Sequence, residues 1–230
     1  MKFLFGLFIG LLLAIGIAVG AGYMAFGDLS NIGERDKSKD ITQTFDLAGF
    51  DRIDAGGVYE LDVSVGGDFS VTISGASEEM ARLEADVENG ELSLGQKRPE
   101  HGKRRWRNSS LTAVISLPAL NAIDISGVVD GEVTGIAAAS FSADLSGVGD
   151  LELSGTCENL TADISGVGDF DGRDLECETV EVHVSGVGDA SVYASQSVDA
   201  SVSGIGSISV YGSPSQVEKS SSFLSSISVQ

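Results

Sequence analysis

Four aspartates recur at nearly equal intervals: Asp130, Asp150, Asp169 and Asp189, spaced by 20, 19 and 20 residues. Each closes a short phrase. The phrases are Ser126-Gly127-Val128-Val129-Asp130, Ser146-Gly147-Val148-Gly149-Asp150, Ser165-Gly166-Val167-Gly168-Asp169 and Ser185-Gly186-Val187-Gly188-Asp189. A fifth copy, Ser203-Gly204-Ile205-Gly206-Ser207, ends in serine. If equivalent positions stack on neighbouring strands, their carboxylates stand about 5 Å apart and repel one another. Two kinds of chemistry suit such a column. Oxygen-rich positions beside glycine bends can hold a hard cation such as Ca²⁺. A solvated acidic face, with each Asp accepting backbone N–H groups in its turn, needs no ion. A second acidic series, Asp124, Asp144 and Asp163, lies two residues before each Ser, and His183 and Ser201 take that place in the later copies.

Cys157 and Cys177 each precede the next repeat Ser by eight residues. In a stack they share one column, with Cα atoms about 5 Å apart, which is within disulfide range. The alternative is a pair of reduced thiols in the core. Export to an oxidising compartment favours the disulfide.

A third set breaks the pattern. Lys97, Arg98, Lys103, Arg104, Arg105 and Arg107 fall within eleven positions, together with His101 and Trp106. Basic side chains around an indole suit an anionic polysaccharide, lipopolysaccharide or membrane partner. The segment could also fold against acidic parts of the same chain, or be a solvated loop, the usual fate of a charge run.

Signals for catalysis are poor. His101 and His183 are the only histidines. The chain has no Gly-x-Ser-x-Gly elbow, His-Glu-x-x-His pair or phosphate loop. A dedicated active site would break a repeat locally, whereas these carboxylates return in each copy. No enzyme activity is expected, and no cofactor beyond the Ca²⁺ considered for Asp130, Asp150, Asp169 and Asp189.

The elements that position these residues follow from the period. Five, three and one positions before each Ser stand Phe141, Ala143 and Leu145, then Leu160, Ala162 and Ile164, then Val180, Val182 and Val184. Alternation by two puts the apolar set on one side of a strand and the polar set on the other. No unit of about 20 residues can bury such a stripe alone, so units must stack. The expected fold is all-β, a single-stranded β-helix or β-solenoid. Glycines are assigned to the bends and the Val of each phrase to the core. Ile53 to Glu60 matches Ile123 to Asp130 in type, and Val217 to Val229 matches Val198 to Val210 without a gap. In the last copy Phe223 and Leu224 replace the corner residues and are expected to cover the final rung. Asn89-Gly90 marks a hairpin, and Ser77 to Leu83 reads as a short helical turn.

Residues 1–27 are apolar, with Lys2 at their start, and read either as a cleaved signal peptide or as a membrane anchor helix. Residues 28–43 read as a linker and 44–229 as the solenoid. Within it, 97–107 form the basic loop and 120–229 the regular repeats. Both readings of the leader export the rest of the chain. Every Asp and Glu lies beyond residue 27, and the net charge of -20 disfavours nucleic acid as a partner.

The repeated Ser-Gly-Val-Gly-Asp phrase, the ending Gly204-Ile205-Gly206-Ser207-Ile208-Ser209-Val210-Tyr211-Gly212-Ser213-Pro214 and the opening Phe50-Asp51-Arg52-Ile53 resemble the auto-transporter adhesin "head GIN" domain family. The resemblance covers residues 44 to 229 and implies an exported β-solenoid of bacterial envelopes. With no membrane barrel after residue 229, self-export is not expected of this chain. The expected function is a non-catalytic interaction, adhesion-like or structural module, periplasmic or on the cell surface. Its partner would be a protein or glycan of the envelope, with membrane contact through the N-terminal segment if that stays attached. Two other classes stay open. A carbohydrate-active enzyme on a β-helix scaffold would show a localised cleft with two carboxylates. A membrane-tethered envelope sensor would keep its leader.

Overall fold

A computed structural model of the chain describes residues 40–97 and 110–230. The leader, residues 28–39 of the linker and Arg98, Lys103, Arg104, Arg105, Trp106 and Arg107 lie outside the described residues. No helix among the described residues is long and apolar enough to cross a membrane.

The alternating segments form long parallel strands that coil around one core. These are β9 (Val128–Leu145), β10 (Leu151–Ile164), β11 (Phe170–Val184) and β12 (Ala190–Val202). Each pairs in register with the next, so like residues stack: Phe141 beside Leu160, Leu160 beside Val180, and Val180 beside Val198. These inward side chains are almost fully buried, in one continuous cluster. Each such Leu, Val or Phe contributes on the order of 2 kcal/mol of hydrophobic stabilisation. Polar residues of alternate parity face solvent. This is the β-solenoid that the period predicts.

Glycine makes the corners between rungs possible. A Cβ on Gly166 would lie 1.9 Å from the carbonyl oxygen of Gly147, and one on Gly147 would lie 2.0 Å from that of Gly127. Backbone therefore packs on backbone at each corner. The valine between the glycines behaves otherwise than expected. Val128, Val148, Val167 and Val187 form parallel bridges to one another, but their side chains are about half exposed, at 50%, 48%, 51% and 48%. They lie on the outside of the corner, and the core is filled from either side by residues such as Ile125 and Val129, both 0% exposed. Parity explains this. Counting by twos from the outward Asp144 passes through Ser146 and reaches Val148 and Asp150.

In the first part of the solenoid, chain order and spatial order differ. β2 (Arg52–Ala55) and β3 (Val58–Val65) form one rung. On one side of it lie β8 (Ala122–Ile125) and β9, with Ile53 beside Ile123 and Val58 beside Val128. On the other side lie β6 (Glu91–Gln96) and β7 (Leu111–Leu117), which come later in the chain than β2 and β3. Antiparallel strands close this end. β4 (Ser70–Ala76) pairs with β7, β1 (Asp40–Phe45) with β4, and β5 (Leu83–Glu88) with β6. A short helix, α1 (Ser77–Met80), joins this cap. Residues 40–43, expected in the linker, belong to β1, because their backbone completes a ladder with residues 73–76.

At the other end β13 (Gly206–Tyr211) pairs with β12, β14 (Gln216–Ser221) with β12, and β15 (Ser225–Val229) with β13. Val217 sits beside Val198 and Val229 beside Val210, the register that the sequence match gives. Phe223 and Leu224 do not cover this rung. They are 100% and 64% exposed: Leu224 extends the outward corner column after Ile205, and Phe223 takes the place of the corner Gly204.

Candidate functional site

The outer face of the sheet running through β3, β9, β10 and β11 carries carboxylates in two columns. Glu60 lies beside Asp130 and Asp62 beside Glu132, and the second column continues through Glu152 to Asp171. Both columns point outward because they share the parity of the exposed positions of these strands. Arg173 forks onto Asp171, with Nε 2.9 and 3.0 Å from the two carboxylate oxygens. That hydrogen-bonded guanidinium holds the Asp171 carboxyl below its ordinary range, against a smaller opposing effect of burial.

The first column is anchored by the backbone of its neighbours. The Asp169 N–H donates to Asp150 Oδ1 at 2.9 Å, and the Asp189 N–H donates to Asp169 Oδ1 at 2.9 Å. Asp189 Oδ1 in turn accepts from the Ser207 N–H at 2.7 Å and the Ser207 hydroxyl at 2.8 Å. One oxygen of each of these carboxylates thus serves the corner of the next rung, as Asp commonly does in turns. Asp130 stands at the start of this series, beside an open groove lined by Glu60, Asp62, Glu132, Asp150 and Glu152. Among the described residues, no group of three or more His, Cys, Asp or Glu side chains is arranged to hold a metal ion.

The second acidic series lies on the face before the corner. Asp54, Asp124, Asp144 and Asp163 are in register on successive strands, followed by His183. Partial burial, helped by like charge, pushes three of these carboxyls above their ordinary range. Glu91 adds to the effect at Asp54, while Asp144, Asp54 and Glu91 add to it at Asp124, and Asp163 at Asp144. His183 Nε2 is 3.1 Å from Glu181 Oε1 on its own strand.

Cys157 and Cys177 occupy paired positions of β10 and β11 and are joined by a disulfide, with Cα atoms 4.5 Å apart. Both are buried in the core cluster. Lys97, the one described member of the basic set, places Nζ 3.4 Å from Glu84 Oε1 on β5.

Between the two acidic series runs a feature that the residue-by-residue reading misses. The outward valines of the corner form an unbroken aliphatic column, and the glycines and serines beside them, with Arg82, Gln96 and Lys97 at one end, line an open groove of about 870 Å³. The parity count by twos was the signal that could have found it.

The chain belongs to the family described as "Putative auto-transporter adhesin, head GIN domain", whose model matches residues 49–214. Its structure is similar to the crystal structure of a "putative adhesin" from Bacteroides fragilis. The two share 27% identity over 84% of this chain and 97% of the other, with a TM-score of 0.68. A "putative lipid binding protein" from Parabacteroides distasonis aligns at 20% identity over 84% of this chain and 97% of that one, with a TM-score of 0.44. A "putative adhesin" from Parabacteroides merdae aligns at 14% identity over 84% and 96%, with a TM-score of 0.41. No curated protein matches the sequence.

Proposed function

We propose that this head GIN domain protein is a non-catalytic interaction module of the bacterial cell envelope, exported to the periplasm or cell surface and attached or directed there by its apolar N-terminal segment. The observation that carries this reading is the repetition of the outer surface. The carboxylate columns return rung after rung on a rigid sheet, from Glu60 and Asp62 to Asp169 and Asp171. A catalytic site needs a few groups held in one unique constellation. A repeating surface instead offers many equivalent contacts to an extended partner, such as an envelope protein or glycan. The likeness to the "putative adhesin" from Bacteroides fragilis supports the same reading.

For Asp130, Asp150, Asp169 and Asp189 we propose a role in shaping the corners and attracting cationic groups, not in caging an ion, because their Oδ1 atoms from Asp150 onward already accept backbone N–H groups. A rise in melting temperature with millimolar Ca²⁺ over EDTA would overturn that part. The basic stretch from Lys97 to Arg107 is given no part in envelope binding. Replacing its six Lys and Arg residues with Ser should leave envelope binding unchanged.

The purified protein should co-sediment saturably with bacterial envelope fragments, more weakly as salt rises. Retention no greater than that of an unrelated acidic protein would refute the reading. Release of new reducing sugar ends from the fragments would replace it with a carbohydrate-active enzyme.

A further inference from the structure

The corner column poses a question that the fold alone does not answer. Val58, Val128, Val148, Val167, Val187 and Ile205 are 38 to 54% exposed, and Leu224 continues the column at 64%. Six steps at the usual strand spacing of about 4.8 Å make an aliphatic stripe about 29 Å long. Yet the neighbouring outward columns are polar: Ser126, Ser146 and Ser165 on one side, and Asp130, Asp150 and Asp169 on the other. An outward corner residue adds nothing to the core. Thr has the same branched shape and nearly the same strand preference, so the fold would tolerate it in every rung. A continuous exposed apolar stripe is otherwise a solubility liability and commonly marks an interaction site.

The flanking charges identify the occupant. Asp54, Asp124 and Asp144 run along one side of the stripe, and Glu60, Asp130 and Asp150 along the other, while the two cations that line the groove near Gly57, Arg82 and Lys97, are each paired with an acid, Glu79 and Glu84. A second copy would bring the same acids against them, on chains of net charge -20. An anionic bilayer is repelled in the same way. A cationic, amphipathic peptide segment matches on both counts, with apolar side chains along the valines and Lys or Arg reaching the acids on either side.

We infer that the outward valine column is the docking site for a cationic amphipathic segment of a partner protein. This deepens the proposed interaction role and rests on it. The apolar stripe supplies most of the affinity, and the flanking acids steer and orient the partner.

The test uses the full-length protein and three labelled synthetic peptides of equal length, read by fluorescence anisotropy. One alternates Lys and Leu, one Lys and Ser, and one Glu and Leu. The Lys-Leu peptide should bind, and the other two should bind at least tenfold more weakly. The triple variant Val128→Thr, Val148→Thr, Val167→Thr should lose at least tenfold for the Lys-Leu peptide, while its thermal melt stays like that of the parent. A second variant, Val148→Ser alone, should show a smaller loss in the same direction. Equal binding by parent and triple variant would overturn the inference, and so would equal binding of the Lys-Ser peptide, which would mean charge alone. Valine-dependent self-association in sedimentation, or binding to neutral vesicles, would assign the stripe to another occupant and overturn it as well. If the triple variant still binds the Lys-Leu peptide and the protein is retained on envelope fragments, this inference fails while the interaction role stands. No retention of the parent protein sinks that role itself.

Discussion

The two parts of the solenoid hold their register by different means. From Ala122 onward each rung follows its predecessor in the chain, and corner glycines rest on the carbonyl oxygens of the rung before. Before Ala122 the rung of β2 and β3 is laid down first, and β6 and β7 are placed outside it later. There the corner column stops. The nearest neighbour of Gly57 there is not a backbone carbonyl. A Cβ on Gly57 would instead meet the Tyr59 ring, 2.4 Å from Cε2. The buried Tyr59 hydroxyl donates to the Gly95 carbonyl at 3.3 Å, and burial pushes the phenol well above its ordinary range. A side chain thus does at one end what backbone contact does elsewhere. The ends differ in the same spirit. Antiparallel β1, β4 and β5 pair with the edge of the first part, whereas the last rung places Lys219 in register with the buried Ala200. A charge at an inward position of an edge strand discourages further stacking.

The sharpest way to break this contrast is one alanine in each part. Gly166→Ala would force a Cβ to within 1.9 Å of the Gly147 oxygen, and neither backbone can retreat without shifting a rung. A loss of about 3 kcal/mol is expected in urea denaturation. Gly56→Ala meets the Ser126 hydroxyl at 3.4 Å and the Leu94 carbonyl oxygen at an ordinary 3.9 Å, so its effect should stay within about 1 kcal/mol. Equal losses would mean that backbone packing at the corners does not set the register.

The disulfide gives the next largest effect. It ties β10 to β11 within the regular rungs, across a sequence separation of 20. Closing a loop of that size restricts the unfolded chain by about 3 kcal/mol. The variant Cys157→Ala, Cys177→Ala should lose an amount of that order, as should the parent protein in reductant. An unchanged midpoint in both would show that the link adds nothing to a register already fixed by glycine.

Much of the regular part is legible because each rung repeats both its inward and its outward parity. Matching Ile53 to Ile123 and Val217 to Val198 gives strand neighbours directly, since parallel stacking pairs like with like. What the period does not reveal is the inversion of rung order. β6 and β7 carry no Ser-Gly-Val phrase, and their neighbours are fixed by long-range pairing, not by local pattern. Val148 illustrates a different failure. Its apolar type suggests the core, while its parity with Asp144 and Asp150 puts it outside. Parity is the better guide, because a strand turns every second side chain to the same face whatever its chemistry. The same rule should have placed Leu224, which follows Ile205 in the exposed column, outside as well.

The smallest expected effect tests the junction itself. Asp124 lies between Asp54 of the first part and Asp144 of the regular rungs, and burial with like charge raises all three carboxyls above their ordinary value of 3.8. A raised native pKa means that the folded protein holds more protons than the unfolded chain between 3.8 and the raised values. Stability from this column therefore rises as pH falls through that window and is flat above it. Asp171 works in the opposite sense. The Arg173 hydrogen bonds lower its pKa, so its contribution is complete above 3.8 and is lost as pH falls below that value. The melting temperature should thus climb as pH falls through the raised values and turn over below 3.8. Asp124→Asn removes the central charge, so it should raise the melting temperature at pH 7 and flatten the climb. The same change at Asp163, where no neighbour from the first part contributes, should do less. If the two variants behave alike, the junction is electrostatically no different from any other step of the stack.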